Sequence, residues 1–465
     1  AYANLLLPAA SWGEKEGTVT NSERRVSHVR PAVPAPGQAR ADWSITCDFA
    51  RRLEKRLHPE RPSLFDFSSA EALFEEYKSL TRGRDLDLSG LSYARLDEQG
   101  PQQWPFPPGA DQGTTRLYTD GRFPHDSGRA RFHADPYLAP QEPCTPDYPL
   151  ILNSGRLRDQ WHGMSRTSTA SRLFGHVEAA TLSLHPEDLQ RRQLQDGDLI
   201  TLSSRRGSLI LPVQADDALR PGQAWLPMHW GKRFLKGLGS NALTLPAVDP
   251  LSRQPELKHA SVEVSRAELP WRLVALVEGE VQNRLQTLRP LFEAFAYASL
   301  VPTGRERPAL LIRAASAEPP APELLERIDQ LLQLSSGPIL AYDDPSRSIS
   351  KRVRLDDGRI SGFRLAGETL AGQWLRSVWQ DGRLAGDQQR WLLAPLSAPP
   401  GNAGAAPSKV LCNCLNVSEA KVRAGIAKGL DLTDLKQALG CGTSCGSCVP
   451  EIKRLLATRP VAQTL

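Results

Sequence analysis

No run of about 18 or more apolar residues occurs in the 465-residue chain, so no helix long enough to span a membrane is expected. Basic clusters are also lacking. The formal charge of +5 is spread along the chain, and Arg24-Arg25, Arg51-Arg52 and Arg205-Arg206 are short and interrupted by acids. Charge this dilute belongs to solvated surface, so no nucleic-acid partner is expected, although a modest positive bias around a pocket suits anionic ligands. The opening AYANLLLPAASW has neither an initiator Met nor a basic stretch ahead of an apolar one. It has the character of mid-domain sequence, and the expectation is a truncated N-terminus rather than a signal peptide. There are no internal repeats. Gly237-Leu-Gly239 lacks a third glycine and a flanking strand–helix pattern, which removes it as a dinucleotide loop.

Cysteine is scarce and then crowded. Cys47 and Cys144 stand alone, while the other five of the seven lie between Cys412 and Cys448. A disulfide framework spreads its pairs over a small secreted chain; local crowding points to a metal centre in a reducing, cytoplasmic compartment. Cys47, inside an expected helix, is assigned as a buried thiol.

The length is too great for one core, and about three or four domains are expected. The fold class is multidomain α/β plus β. Asp42 is a candidate N-cap for a helix over 43–57. Residues 59–147, rich in Pro, Gly and charge, form an irregular connector with one helix near 69–79. From Tyr148 the pattern turns to short strands: 148–152, 199–203, 208–214 and 223–228, with a short helix over 186–192 and a turn at Asp196-Gly-Asp198. This predicts a β-barrel spanning 148–265. Residues 266–400 form a small α/β region with strands at 273–277, 309–312 and 338–342 and a helix over 323–334. Residues 401–407 are a linker by composition, and 408–465 form a small helical domain.

That last domain contains Cys412-Asn-Cys414 and Cys445-Gly-Ser-Cys448. Ser418 and Thr433 are candidate N-caps, Gly429 and Gly440 close two helices, and Pro450 opens a third that carries Ile452, Leu455 and Leu456. Four thiolates suit a [2Fe–2S] cluster, two per iron: Cys412 and Cys414 for one iron, Cys445 and Cys448 for the other. Structural zinc is the alternative, although a C-x-C first half is unusual for zinc. Cys441 is one residue short of a plant-type ferredoxin spacing and is assigned as a neighbour. The segment resembles the bacterioferritin-associated ferredoxin type of [2Fe–2S] domain, and that resemblance implies Cys412, Cys414, Cys445 and Cys448 as ligands.

Two further stretches carry a second resemblance. Leu7-Pro-Ala-Ala-Ser-Trp-Gly-Glu-Lys-Glu-Gly-Thr-Val-Thr-Asn-Ser-Glu-Arg-Arg25 and Leu152-Asn-Ser-Gly-Arg-Leu-Arg-Asp-Gln-Trp-His-Gly-Met-Ser-Arg-Thr167 are similar to the molybdopterin oxidoreductase family. The resemblance implies that 1–58 ends the pterin-binding α/β domain and that the barrel is a dinucleotide-binding, double-psi type. Ser154-Gly155 follows a strand end where backbone N–H groups can face phosphate. Arg156 and Arg158 offer fixed donors to anionic oxygens, and Trp161 and His162 can stack on or hydrogen-bond pterin rings. By resemblance, Ser154, Gly155, Arg156, Leu157, Arg158, Asp159, Gln160, Trp161, His162 and Gly163 line molybdopterin guanine dinucleotide, with Asn241 and Lys258 as further contacts. His229 and Trp230 either pack at a strand end or border the substrate channel. The molybdenum ligand and a [4Fe–4S] motif precede these segments in the family and are expected outside this chain.

Pterin segments joined to a [2Fe–2S] tail resemble assimilatory nitrate reductases. The resemblance implies a molybdenum bis(molybdopterin guanine dinucleotide) enzyme that reduces nitrate and draws electrons from a reductase, ferredoxin or flavodoxin. By itself the 465-residue chain is expected to be inactive. A formate dehydrogenase-like oxidoreductase is the alternative within the family, and a non-catalytic electron-transfer module the alternative outside it.

Overall fold

Asn21 organises the first turn of the chain. Its side-chain carbonyl accepts the N–H groups of Glu23 and Arg25, folding β1 (Gly17–Thr20) back on β2 (Arg25–Val29) as an antiparallel pair. The computed structural model describes residues 3–382, 388–399 and 408–458; the linker expected at 401–407 lies outside them. The chain divides into two compact units, Ala1–Tyr137 and Leu138–Leu465. In the first, α1 (Asp42–Leu57) begins one residue earlier than expected. Asp42 is not its cap: Lys15 Nζ takes the carboxylate at 2.6 Å. Cys47 is buried in α1, as expected. α2 (Ala70–Ser79) is capped by Ser69. A second helix, α3 (Tyr93–Gln99), capped by Ser92, was not anticipated in the supposedly irregular stretch. The short β3 (Gln102–Gln103) pairs with β2. Phe74, Leu88, Leu91, Tyr93, Leu96 and Phe106 pack with Val26, so this connector has a core of its own.

The second unit opens with a six-strand closed barrel: β4 (Leu150–Gly155), β5 (Leu182–Leu184), β6 (Leu199–Ser204), β7 (Gly207–Ala215), β8 (Gln223–Pro227) and β9 (Ala260–Arg266), in the order β4-β8-β5-β7-β6-β9. α4 (Pro186–Arg191) lies between β5 and β6 with proline in its first turn. β4 starts two residues later than expected, because Tyr148 forms a bridge with Thr145. Alternation aims Leu150, Leu152 and Ser154 inward from β4, and Leu209, Leu211 and Val213 from β7. β4 runs parallel to β8, which sets Gly155 opposite Pro227.

The region expected as small α/β is built on a six-stranded antiparallel sheet with three helices. Its strands are β10 (Trp271–Glu278), β11 (Tyr297–Thr303), β12 (Ala309–Ser316), β13 (Ile339–Asp344), β14 (Ile349–Asp356) and β15 (Arg359–Ala366), ordered β11-β12-β10-β15-β14-β13. α5 (Val281–Leu288), α6 (Pro322–Leu331) and α7 (Gly372–Asp381) accompany it. Three strands escaped the sequence pattern for identifiable reasons. β11 is buried along its whole length and shows no alternation. β14 and β15 carry cations at buried positions: Lys351 pairs with Glu368, and Asp329 of α6 holds Arg364 through two 2.6 Å hydrogen bonds. Buried charges are tolerated when paired and hydrogen-bonded.

The last module joins β16 (Val410–Cys412) and β17 (Val417–Ser418) to α8 (Glu419–Ala427), α9 (Leu432–Leu439) and α10 (Val449–Ala457). Ser418 caps α8. Asp431, not Thr433, caps α9: its Oδ1 accepts the N–H of both Thr433 and Asp434, at 2.7 and 2.9 Å, while Thr433 lies one residue inside the helix. Gly440, at φ +70°, ends α9 in the left-handed conformation. Leu411, Val422, Leu435 and Ile452 form the core. Among the described residues, no helix is long and apolar enough to cross a membrane.

Candidate functional site

The two cysteine loops meet. The Sγ atoms of Cys414 and Cys445 are 3.3 Å apart, and Cys412 lies near enough to Cys448 to push that thiol up. The Cys414–Cys445 contact runs across the two loops, whereas the expectation from spacing groups Cys412 with Cys414. Cys412 ends β16 and is buried, whereas Cys414 follows the turn towards the surface, so each meets a different cysteine of the C-x-x-C loop. One pair is therefore buried, and in the other Cys414 is partly covered and Cys445 exposed. Among the described residues no three His, Cys, Asp or Glu side chains converge on a single ion. Burial pushes the Cys448 thiol up to about 12. The Cys445 thiol is lowered, first by the hydrogen bond with Ser447 Oγ at 2.9 Å. Cys441 is wholly buried, packs in the same core as Cys412 and Cys448, and turns its sulfur to the Leu435 carbonyl at 3.6 Å.

The barrel loop 154–163 has three distinct faces. Inward, Leu157, Gln160 and then Met164 are buried. Gln160 donates to the Leu173 carbonyl at 3.3 Å and accepts from Thr167 Oγ1 at 2.7 Å, so it braces the loop. Outward, Arg156, Trp161, His162 and Gly163 are exposed. Arg156 forms no hydrogen bond or ion pair with any described residue, and the Trp161 and His162 rings stand edge to face with centroids 4.6 Å apart. Laterally, Arg158 and Asp159 face the four-cysteine module. Arg158 donates to Glu451 Oε2 at 3.0 Å and to the Leu411 carbonyl at 2.8 Å, and Asp159 accepts from Asn413 Nδ2 at 2.8 Å. These two residues, expected to line a dinucleotide, are committed to the neighbouring module.

Other expected residues also find their places. Lys258 Nζ donates to the Ser154 carbonyl at 2.7 Å, and Ser154 Oγ donates to that of Leu257 at 3.0 Å, which joins this pair at the strand end. Asn241 is exposed on the turn Ser240–Ala242, and no hydrogen bond ties it to the loop. Gly155 is required for a protein reason: a Cβ there would lie 2.5 Å from the indole nitrogen of Trp225. His229 and Trp230 are both buried, which matches packing rather than a channel edge. His229 Nε2 accepts the Leu157 N–H at 2.8 Å, while Nδ1 bonds the His162 carbonyl. Trp230 meets Phe174 and Phe234 edge-on.

Sequence reasoning missed Glu451, His176, Asn413 and Arg305. Glu451 takes His176 Nε2 at 3.0 Å and Lys409 Nζ at 2.7 Å besides Arg158. Burial alone would raise its carboxyl, but these partners hold it down at about 2. Arg305 donates to the carbonyls of Asn413 and Cys414 at 2.5 and 2.8 Å. These contacts join residues 42 to 293 positions apart, so no local spacing signals them.

Comparison with known proteins follows this geometry. Residues 1–52 match the molybdopterin oxidoreductase model, 150–261 the molydopterin dinucleotide binding domain, and 410–458 the BFD-like [2Fe-2S] binding domain. The chain is 31% identical over 492 residues to a nitrate reductase of Klebsiella oxytoca, covering 98% of this chain and 51% of that protein. It is 40% identical over 277 residues to a nitrate reductase of Synechocystis sp., covering 57% and 37% respectively. An F420-dependent formate dehydrogenase 1 subunit alpha of Methanococcus maripaludis is 30% identical over 264 residues, again 57% of this chain and 37% of the relative. The chain thus spans about half or less of the length of these relatives. In order, its segments match a stretch of the molybdopterin oxidoreductase domain, a molydopterin dinucleotide-binding domain and a BFD-like [2Fe–2S]-binding domain, and nitrate reductases are among its relatives.

Proposed function

We propose that this chain is the C-terminal part of a nitrate reductase in which the four-cysteine module receives electrons and the barrel holds one end of a pterin dinucleotide. The pairing of the cysteines carries this reading. Two thiolates on one tetrahedral metal stand about 3.8 Å apart, and the 3.3 Å Cys414–Cys445 approach is close to that span. Two such pairs on facing loops suit two irons, with Cys414 and Cys445 on one and Cys412 and Cys448 on the other. On the barrel, the uncommitted Arg156 guanidinium and the half-exposed Trp161 suit an anionic, ring-bearing ligand. Of the loop residues, Arg156, Trp161, His162 and Gly163 face it, while Leu157, Gln160 and His229 hold the loop's shape.

Molybdenum bis(molybdopterin guanine dinucleotide) supplies oxygen-atom transfer when bound. The overall reaction is nitrate plus two electrons and two protons giving nitrite and water. The same reading includes a double-psi type for the six-strand barrel, a [4Fe–4S] cluster held by residues outside this chain, a reductase, ferredoxin or flavodoxin as electron donor, and a cytoplasmic setting. Cys445, the exposed member of the outer pair, is where that donor's electron enters.

The test is to measure iron, acid-labile sulfide and the EPR signal of the reduced chain, and to assay the whole enzyme with reduced methyl viologen and either nitrate or formate. Two irons and two sulfides per chain with nitrate turnover support the proposal. One zinc per chain refutes the cluster, and turnover of formate alone shifts the reading to the formate dehydrogenase branch. Arg156→Ala in the whole enzyme should lower pterin content by roughly 10- to 150-fold in affinity, the loss of a charge-assisted hydrogen bond.

A further inference from the structure

The six-stranded sheet and the barrel loop both bond the Leu411–Cys414 turn and share Asn413: the sheet reaches Asn413 and Cys414, the loop Leu411 and Asn413. Gly304, at φ +87°, makes the tight turn between β11 and β12, and a Cβ there would strike the Arg307 carbonyl at 2.1 Å. That turn presents Arg305, whose two terminal nitrogens reach the Asn413 and Cys414 carbonyls. From the other side, Arg158 holds the Leu411 carbonyl, and Asp159 holds the Asn413 side chain. The C-x-C turn is thus gripped by two modules at once.

The two arginines sit in different electrostatic settings. Arg158 is compensated by Asp159 at 3.1 Å and Glu451 at 3.0 Å, and all three side chains are mostly buried. Its charge, which opposes the upward shift of the Cys448 thiol, is balanced by these two acids, so holding the turn is its main task. Among the described residues, the acid paired with Arg305 is Glu306 at 3.6 Å, whose side chain is 90% exposed. Its charge is therefore directed at the carbonyls of a metal-ligand turn with little compensation. A four-thiolate [2Fe–2S] centre gains one negative charge on reduction, and a nearby cation favours the more negative state.

We propose that Arg158 and Asp159 dock the four-cysteine module against the barrel, and that Arg305 is a positioning residue that raises the reduction potential of the cluster in the adjacent turn. This rests on the cluster proposed above. It also gives the six-stranded sheet a task, that of carrying the guanidinium that tunes the electron-receiving centre.

The test uses the full chain with its cluster reconstituted, iron and sulfide being quantified first. Arg305→Gln should lower the potential in an EPR-monitored titration, while Arg305→Lys should restore most of it, since charge rather than fork geometry sets the effect. Arg158→Ala should instead raise amide hydrogen exchange in 409–419. An Arg305→Gln chain with a full cluster and an unchanged potential, or equal potentials for the Gln and Lys variants, overturns the tuning role. Unchanged exchange in Arg158→Ala overturns the docking role. A wild-type chain that takes up no iron overturns the cluster reading itself, and this inference with it.

Discussion

His229 accepts the backbone N–H of Leu157 on Nε2 at 2.8 Å and bonds the His162 carbonyl through Nδ1. Both bonds require the neutral tautomer with its proton on Nδ1. Burial favours the same form and lowers the imidazole from its ordinary value near 6.5. His229→Phe would leave a donor and an acceptor unpaired, each costing about 1–3 kcal/mol. Urea unfolding should show a less stable barrel, and the whole enzyme should lose pterin with its KM for nitrate intact. The wild-type advantage should be full above about pH 6.5 and decline as pH falls below it, because the unfolded chain then binds a proton that the folded chain resists. A raised KM with unchanged stability would mean that the ring touches substrate.

Gly155→Ala should destabilise the barrel by about 1–3 kcal/mol through overpacking against Trp225. Trp225→Leu removes the indole from that position, so the double variant should recover most of the loss. Thermal unfolding of the four proteins decides the matter. An additive double variant would place the constraint elsewhere.

Replacing Cys412, Cys414, Cys445 or Cys448 by Ser should bleach the visible absorption and the reduced EPR signal. Cys441→Ser should leave the iron in place, because that sulfur is turned to the Leu435 carbonyl. Iron loss in Cys441→Ser as large as in Cys445→Ser would identify Cys441 as a ligand.

Glu142 is clamped by Arg206 through bonds of 2.8 and 2.7 Å and accepts the Ser261 N–H at 3.2 Å. The Arg206 hydrogen bonds lead in holding its carboxyl at about 2, against an ordinary 4.5. A folded pKa below the unfolded one stabilises above the unfolded value, here on the order of 3 kcal/mol. Glu142→Gln should lose stability of that order at neutral pH. The deficit should shrink as pH falls from about 4.5 towards 2. A pH-independent deficit in denaturant melts would assign the loss to packing.

The sequence determined by itself what local chemistry encodes. The C-x-C and C-x-x-C spacing, the Ser418 cap and the Gly440 stop mark out the last module, because thiolate spacing and cap geometry act over a few residues. The barrel strands β6, β7 and β8 were legible because alternation is a one-strand property. Only the tertiary structure decided which cysteine meets which, since two short loops can pair within or across themselves. It also set Arg158 and Asp159 against the four-cysteine module, and chose packing over a channel edge for the buried His229 and Trp230. The sheet strands β14 and β15 were hidden for the same reason. Lys351 and Arg364 look like surface until Glu368 and Asp329, distant in sequence, neutralise them inside. A charge reveals its place only when its partner is known, and the partner is chosen by the fold.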